Sequence, residues 1–312
     1  MDVKGASKPL LILAVSAAAL AGIGGYAWYG SLRPAVLELF AFDTPGAPAI
    51  LIRTPHDKRI LIDGGANSDV IERLTRVLPF YSRRIDMIIA TKADAKNVTG
   101  LIDVSDRFQV DEAILPAVTL VDLSLASTSD PIYEIFEKTL LDKKVNTEKV
   151  AAGKRIILDQ GAADDGGRTV TANILFPTSA NRFVYSKASA PEIMMRIDYG
   201  TTSIMLAGSA SVKIQKYVAT TSPVLADVLI ISNSALPSNV SSALVDSLAP
   251  DYLIYSQAIQ KTAKKSASPS SSSKGKPQPD PLVGIPIDNR FNVRESGMIK
   301  IVSDGAGVQV SK

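Results

Sequence analysis

Cysteine is absent from the 312 residues and histidine occurs once. No disulfide framework, iron–sulfur cluster, thiolate-ligated zinc or cysteine nucleophile can therefore be built from this chain. The lone histidine also removes every mechanism that needs a histidine cluster. Aromatic residues make up only 6% and tryptophan occurs once. Neither charge sign dominates, with 34 Lys+Arg against 31 Asp+Glu and a net charge of +3. That excess neither demands a nucleic-acid partner nor bars one, because local basic clusters matter more than the sum. What the chain has in quantity is apolar residues, 46% against 21% charged. This is the composition of a membrane segment added to an ordinary globular core.

The membrane segment is legible at the start. From Pro9 to Leu32 no residue is charged, and Pro9 to Trp28 alone spans about 30 Å as a helix, the thickness of a bilayer's hydrocarbon core. Tyr26, Trp28 and Tyr29 gather at its C-terminal end, where amphipathic rings favour the interface, while Lys4 and Lys8 precede it and Arg33 follows. The run exceeds the roughly 7–15 apolar residues of a cleaved signal peptide, which favours an anchor. The expected arrangement is a cytoplasmic N-terminus over residues 1–8, a single transmembrane anchor over 9–32, and an extracytoplasmic domain over 33–312.

Within that domain, short runs rich in Ile, Leu and Val and bounded by Pro, Gly or Asp predict strands at Val36 to Phe42, Ala49 to Thr54, Arg59 to Asp63 and Ile85 to Ala90. Further strands are predicted at Lys154 to Leu158, Thr169 to Phe176, Ile193 to Tyr199, Ser203 to Ala207, Val228 to Ile231 and Tyr252 to Tyr255. The chain closes with three more at Gly284 to Ile287, Met298 to Ser303 and Gly307 to Val310. Helical periodicity marks Ser68 to Leu78, Pro131 to Leu141, Val212 to Val218 and Ser241 to Leu248. Strands and helices interleave in both halves, so the fold class is α/β or α+β, a layered sandwich. The segment 258–282 breaks the pattern with serines, lysines and prolines and reads as a disordered basic insertion within the domain. Ser271-Ser-Ser-Lys274 inside it spells Ser-x-x-Lys, but low-complexity sequence lacks the helix that would set its geometry. His56 lies in the predicted turn Pro55 to Lys58 and reads as a surface histidine.

The runs Leu37-Glu-Leu-Phe-Ala-Phe-Asp43, Ala49-Ile-Leu-Ile-Arg-Thr-Pro55, Arg59-Ile-Leu-Ile-Asp-Gly-Gly65 and Arg84-Ile-Asp-Met-Ile-Ile-Ala-Thr91 resemble the opening of the metallo-β-lactamase fold. Met195 to Gly200, Ser203 to Ala210, Asp227 to Leu236 and Ile301 to Val310 continue the resemblance, which covers nearly all of residues 36–310 outside the insertion. Within that superfamily the chain is most similar to the C-terminal domain of ComEC-type DNA-uptake proteins. The resemblance implies a four-layer αββα sandwich. It also implies two Zn or Mn ions held by Thr-His-x-His-x-Asp-His, by a bridging Asp and by a later His-His pair.

Here the first stretch reads Thr91-Lys-Ala-Asp-Ala-Lys-Asn97. By that correspondence the ligand positions carry Lys92, Asp94, Lys96 and Asn97. Ser209 stands at the bridging Asp, and Asn233 and Ser234 at the later histidines. A lysine ammonium has no lone pair to give, and Asn and Ser are poor zinc ligands. No metal cofactor is therefore expected. Asp63 and Asp43 correspond to framework positions, and Asp63 is expected to pair with Lys92 or Lys96.

The function expected is that of a membrane-anchored pseudoenzyme, a binding or scaffold subunit linked to DNA uptake, with the membrane and a protein of a membrane complex as partners. Two other classes stay open. One is a nucleic-acid-binding module that uses Lys92, Lys96 and the lysines from Lys261 to Lys276. The other is a residual hydrolase holding Mg²⁺ with Asp43, Asp63 and Asp94.

Overall fold

The computed structural model describes residues 15–18, 35–117, 130–162, 166–178, 192–222, 225–232, 238–256 and 281–312. Of the apolar run only residues 15–18 fall within this set, as α-helix, and among the described residues no helix is long and apolar enough to cross a membrane. The anchor 9–32 otherwise, the insertion apart from Pro281 and Leu282, and the positions Asn233 and Ser234 lie outside the described residues.

Among the described residues fifteen strands form two sheets. The first contains β1 (Leu37–Phe42), β2 (Ala49–Arg53), β3 (Arg59–Ile62), β4 (Arg84–Ile89), β5 (Gln109–Pro116), β6 (Asn146–Val150), β14 (Met298–Ser303) and β15 (Val308–Ser311), in the order β15-β14-β1-β2-β3-β4-β5-β6. The second contains β7 (Arg155–Asp159), β8 (Val170–Phe176), β9 (Met194–Tyr199), β10 (Thr202–Gly208), β11 (Val228–Ile231), β12 (Tyr252–Tyr255) and β13 (Arg290–Asn292), in the order β13-β12-β11-β10-β9-β8-β7.

The inner strands read as near-continuous apolar runs because both their faces are covered. Alternate residues of β1, β2 and β3 divide cleanly. Leu37, Leu39, Ala41, Ile50, Ile52, Ile60 and Ile62 face the second sheet across the central core, where they meet Ile197, Ile204, Val228 and Ile254. Phe40, Phe42, Ala49, Leu51 and Leu61 face outward to α1 (Asp69–Val77), α2 (Ala95–Arg107) and α3 (Pro131–Asp142). On the far side Met205, Ala207, Leu229 and Leu253 pack under α4 (Val212–Thr221) and α5 (Ser242–Leu248). Three apolar layers thus separate four layers of structure, an αββα sandwich.

Most predicted elements occur within a residue or two of their expected bounds. Gly284 to Ile287 does not form a strand. It is a turn followed by a 3₁₀ segment at Ile287–Asn289, and the adjacent strand is β13. Pro286 has no N–H for a ladder, and the Arg290 guanidinium donates to the carbonyls of Leu282 (2.6 Å) and Ile285 (2.8 Å). The turn's acceptors are thereby satisfied without a neighbouring strand. His56 is likewise not a plain surface residue. It is half-buried, and its backbone N–H (3.1 Å) and Nδ1 (2.9 Å) both meet Asp159 Oδ2 of the other sheet.

Candidate functional site

The end of β3 and the start of α2 are held together by one carboxylate. Asp63 follows β3 with φ +56° and is 4% exposed. Its Oδ1 accepts from the Thr91 backbone N–H (2.8 Å). Its Oδ2 accepts from Thr91 Oγ1 (2.6 Å) and Asn97 Nδ2 (2.8 Å). Burial pushes the Asp63 carboxyl up to about 7, against the pull of these three donors, and the nearby Asp94 charge adds to the rise. The expected Asp63 ion pair with Lys92 or Lys96 is absent, because the carboxylate is already filled by neutral donors from the loop it closes.

Backbone contact completes the junction. Gly64 N–H donates to Asn97 O (2.8 Å) and Gly100 N–H to Gly65 O (3.1 Å). A Cβ at position 100 would overlap the carbonyl oxygen of Gly64. Gly100→Ala is therefore expected to lower unfolding stability by roughly 1–3 kcal/mol, the usual cost of overpacking a rigid contact. Urea titration checks this. A midpoint that falls at unchanged slope is the expected result, and an unchanged midpoint would show that the loop moves aside freely.

Asp94 caps α2, its Oδ1 accepting from Asn97 N–H (3.2 Å) in the position where short polar side chains satisfy a helix's free donors. The helix begins at Ala95. Lys92 turns its ammonium to Asp94 Oδ2 (3.6 Å) and Ser209 Oγ (3.4 Å). Lys96 is exposed and has no ion pair among the described residues. Asp43 does not line the cleft and faces Arg294 Nε at 3.5 Å. Asp43, Asp63 and Asp94 are thus engaged in three different tasks. Among the described residues no group of three His, Asp or Glu side chains is placed to hold a metal ion.

One residue of the site escaped the sequence reading. Glu192 is 3% exposed and sits beneath Ser209. Its carboxylate accepts from the Ser209 backbone N–H and from Ser209 Oγ (3.0 Å). Its backbone forms a β-bridge with Lys92, and the Ile193 N–H donates to Thr91 O (2.7 Å). Gly208, with φ +56°, supplies the approach, since a Cβ there would overlap the Glu192 carboxylate. Burial pushes the Glu192 carboxyl up to about 7, opposed by the Lys92 charge and the two Ser209 donors.

Together these groups line a cleft of about 340 Å³ at the C-terminal ends of β4 and β10, bounded by Gly46, Lys92, Asp94, Lys96, Glu192 and Ser209. Among the described residues its donor set does not fit a binuclear metal centre, since the ammonium of Lys92 stands among the very carboxylate and hydroxyl that a cation would need. The fold and site together define a layered α/β domain with a polar cleft closed by an internal charge network.

No protein-family model matches the chain, and no curated protein does. Solved structures similar to it include a mutant of CmlA beta-hydroxylase, at 17% identity over 70% of this chain with a TM-score of 0.42. Another is a metallo-β-lactamase mutant from Cronobacter sakazakii, at 14% identity over 62% of this chain and 74% of that one, TM-score 0.41. A third is the long form of RNase Z from yeast, at 9% identity over 71% of this chain, TM-score 0.43. The chain spans 45% of the CmlA beta-hydroxylase structure and 37% of the yeast RNase Z.

Proposed function

We propose that the chain is a membrane-anchored pseudoenzyme of the metallo-β-lactamase fold, and that its work is binding or scaffolding in a membrane complex. The observation that carries this reading is the Lys92 ammonium, held between Ser209 and Asp94 above the buried Glu192. A fixed positive side chain there takes over the electrostatic task that bound cations would perform, tying the two halves of the cleft together. It supplies no hydroxide nucleophile, which is the chemical contribution of a hydrolytic metal. The resemblance of residues 36–310 to ComEC-type domains supports DNA uptake as the setting. Lys92 is spent on its own carboxylates, so the nucleic-acid reading retains only Lys96 and the lysines of the insertion.

Metal titration of the full chain in detergent tests the proposal. A metal bound only by the native state must raise the unfolding midpoint. No rise with Zn²⁺, Mn²⁺ or Mg²⁺ is expected. A stoichiometric metal accompanied by a raised midpoint would overturn the reading.

A further inference from the structure

The two ends of the sandwich differ in a way that the cleft does not explain. β1 begins where β2 ends and where β3 and β4 begin, since Glu38 lies opposite Arg53, Arg53 opposite Arg59, and Ile60 opposite Met87. Ala35, where the described domain starts, and the loop 78–83 that precedes β4 therefore share one end. The second sheet has the same end there. Tyr199 Oη donates to Ala35 O (2.8 Å), and Thr201 N–H donates to Gly305 O (2.8 Å). Lys92 and Ser209 lie at the opposite end.

The loop at the Ala35 end carries Phe80, 92% exposed, and Tyr81, 72% exposed, as an edge-to-face pair 5.4 Å apart. Beside them Arg83 is exposed and has no ion pair among the described residues. Two further exposed apolar side chains share this end. Leu225 precedes β11, and its carbonyl accepts from Ser203 Oγ (3.2 Å). Ile287 belongs to the segment that Asn289 ties to Asp251 O (3.0 Å). Four of the nine large apolar side chains exposed among the described residues thus crowd the end by which the chain enters.

We infer that this end is a membrane-contact face, in which Phe80 and Tyr81 seat in the interface of an anionic bilayer beside Arg83. The inference rests on reading residues 9–32 as an anchor. If Tyr29 marks the interface, the six residues to Ala35 reach at most about 20 Å. The domain's entry end is therefore confined next to the lipid surface. Phe80 precedes a strand three places from β1 in the sheet, about 14 Å to the side. An aromatic pair so tethered gains interfacial burial with little further loss of freedom, and an unpaired arginine gains from anionic headgroups. The cleft then faces away from the membrane, open to a soluble partner.

The test uses the full chain with Trp28→Phe, which removes the only native tryptophan, combined with Phe80→Trp. The protein is reconstituted into phosphatidylcholine and phosphatidylglycerol vesicles with brominated acyl chains. An indole seated ~5–10 Å into the headgroup and acyl boundary is expected to emit at shorter wavelength and to be quenched. The same probe introduced by Ile135→Trp, on the α3 half nearer the cleft, is expected to stay unquenched. Failure of the protein to float with vesicles would overturn the anchor reading and this proposal with it. Flotation with both indoles equally unquenched would overturn this proposal alone and point to a protein partner for the aromatic face.

Discussion

Asp63→Ala should lower stability by roughly 3–5 kcal/mol at pH 5. The estimate follows from what the carboxylate leaves behind. Thr91 N–H, Thr91 Oγ1 and Asn97 Nδ2, all on buried residues, lose their acceptor, and each stranded buried donor costs about 1–3 kcal/mol, less than additively. The pH dependence has a definite sign. The folded Asp63 carboxyl is raised to about 7 from its ordinary 3.8, so between those values the native state holds the proton more tightly than the unfolded chain. Its contribution is fully present below the unfolded value and is lost as pH rises through about 7. Because Asp63→Ala abolishes this contribution, its cost should be larger at pH 5 than at pH 8. Urea titrations at the two pH values measure the difference. An equal or larger cost at pH 8 would show that the three donors outweigh burial and hold the carboxyl ionised throughout.

The same site shows where sequence reading succeeds and where it stops. β1, β2 and β3 were legible because a strand buried on both faces is apolar almost throughout, with one charged residue each in Glu38, Arg53 and Arg59. β5 begins Gln109-Val-Asp-Glu, with those residues outside the deepest core, and β6 is mostly exposed. Their apolar signal is diluted because β6 is the edge strand and β5 lies next to it, and neither was predicted. α2 was hidden for another reason. Lys96, Asn97, Thr99 and Gly100 are weak or polar helix residues, yet the Asp94 cap and the docking of Val98, Leu101 and Val104 fix the helix.

Glu192 was out of reach because its meaning is entirely tertiary. In sequence it is one acid before an apolar strand. In the fold a bridge to Lys92 and the absent Cβ of Gly208 bury it beneath Ser209. The one local trace of the approach is the Gly208-Ser209 step at the end of β10, which names no partner. Asp63 was found, but its partner was misassigned. Complementary charge suggested lysine, whereas the loop geometry supplied three neutral donors first.

Lys92→Met provides the second large effect and bears directly on the cleft. In the native chain the Lys92 charge is the strongest influence holding the Glu192 carboxyl down, against burial that lifts it to about 7. Removing the ammonium leaves an acid 3% exposed without the nearby charge that favours its ionised form, and each further unit of rise in its pKa costs about 1.4 kcal/mol once the acid is ionised. The Lys92–Asp94 pair adds little, since both side chains are partly exposed. Glu192 in the variant must titrate higher still, so the window in which stability falls with rising pH extends above 7. The expected result is a small loss at pH 5, where Glu192 is protonated in both proteins, and a loss that grows as pH rises past 7, reaching roughly 1–1.5 kcal/mol at pH 8. Adding Glu192→Gln should restore most of the difference at pH 8, because the amide has no charge to strand. A loss of equal size at both pH values, unrelieved by Glu192→Gln, would mean that Lys92 acts through packing alone. The cleft would then hold no internal cation in the electrostatic sense, and the account of how its two halves are tied together would fail with it.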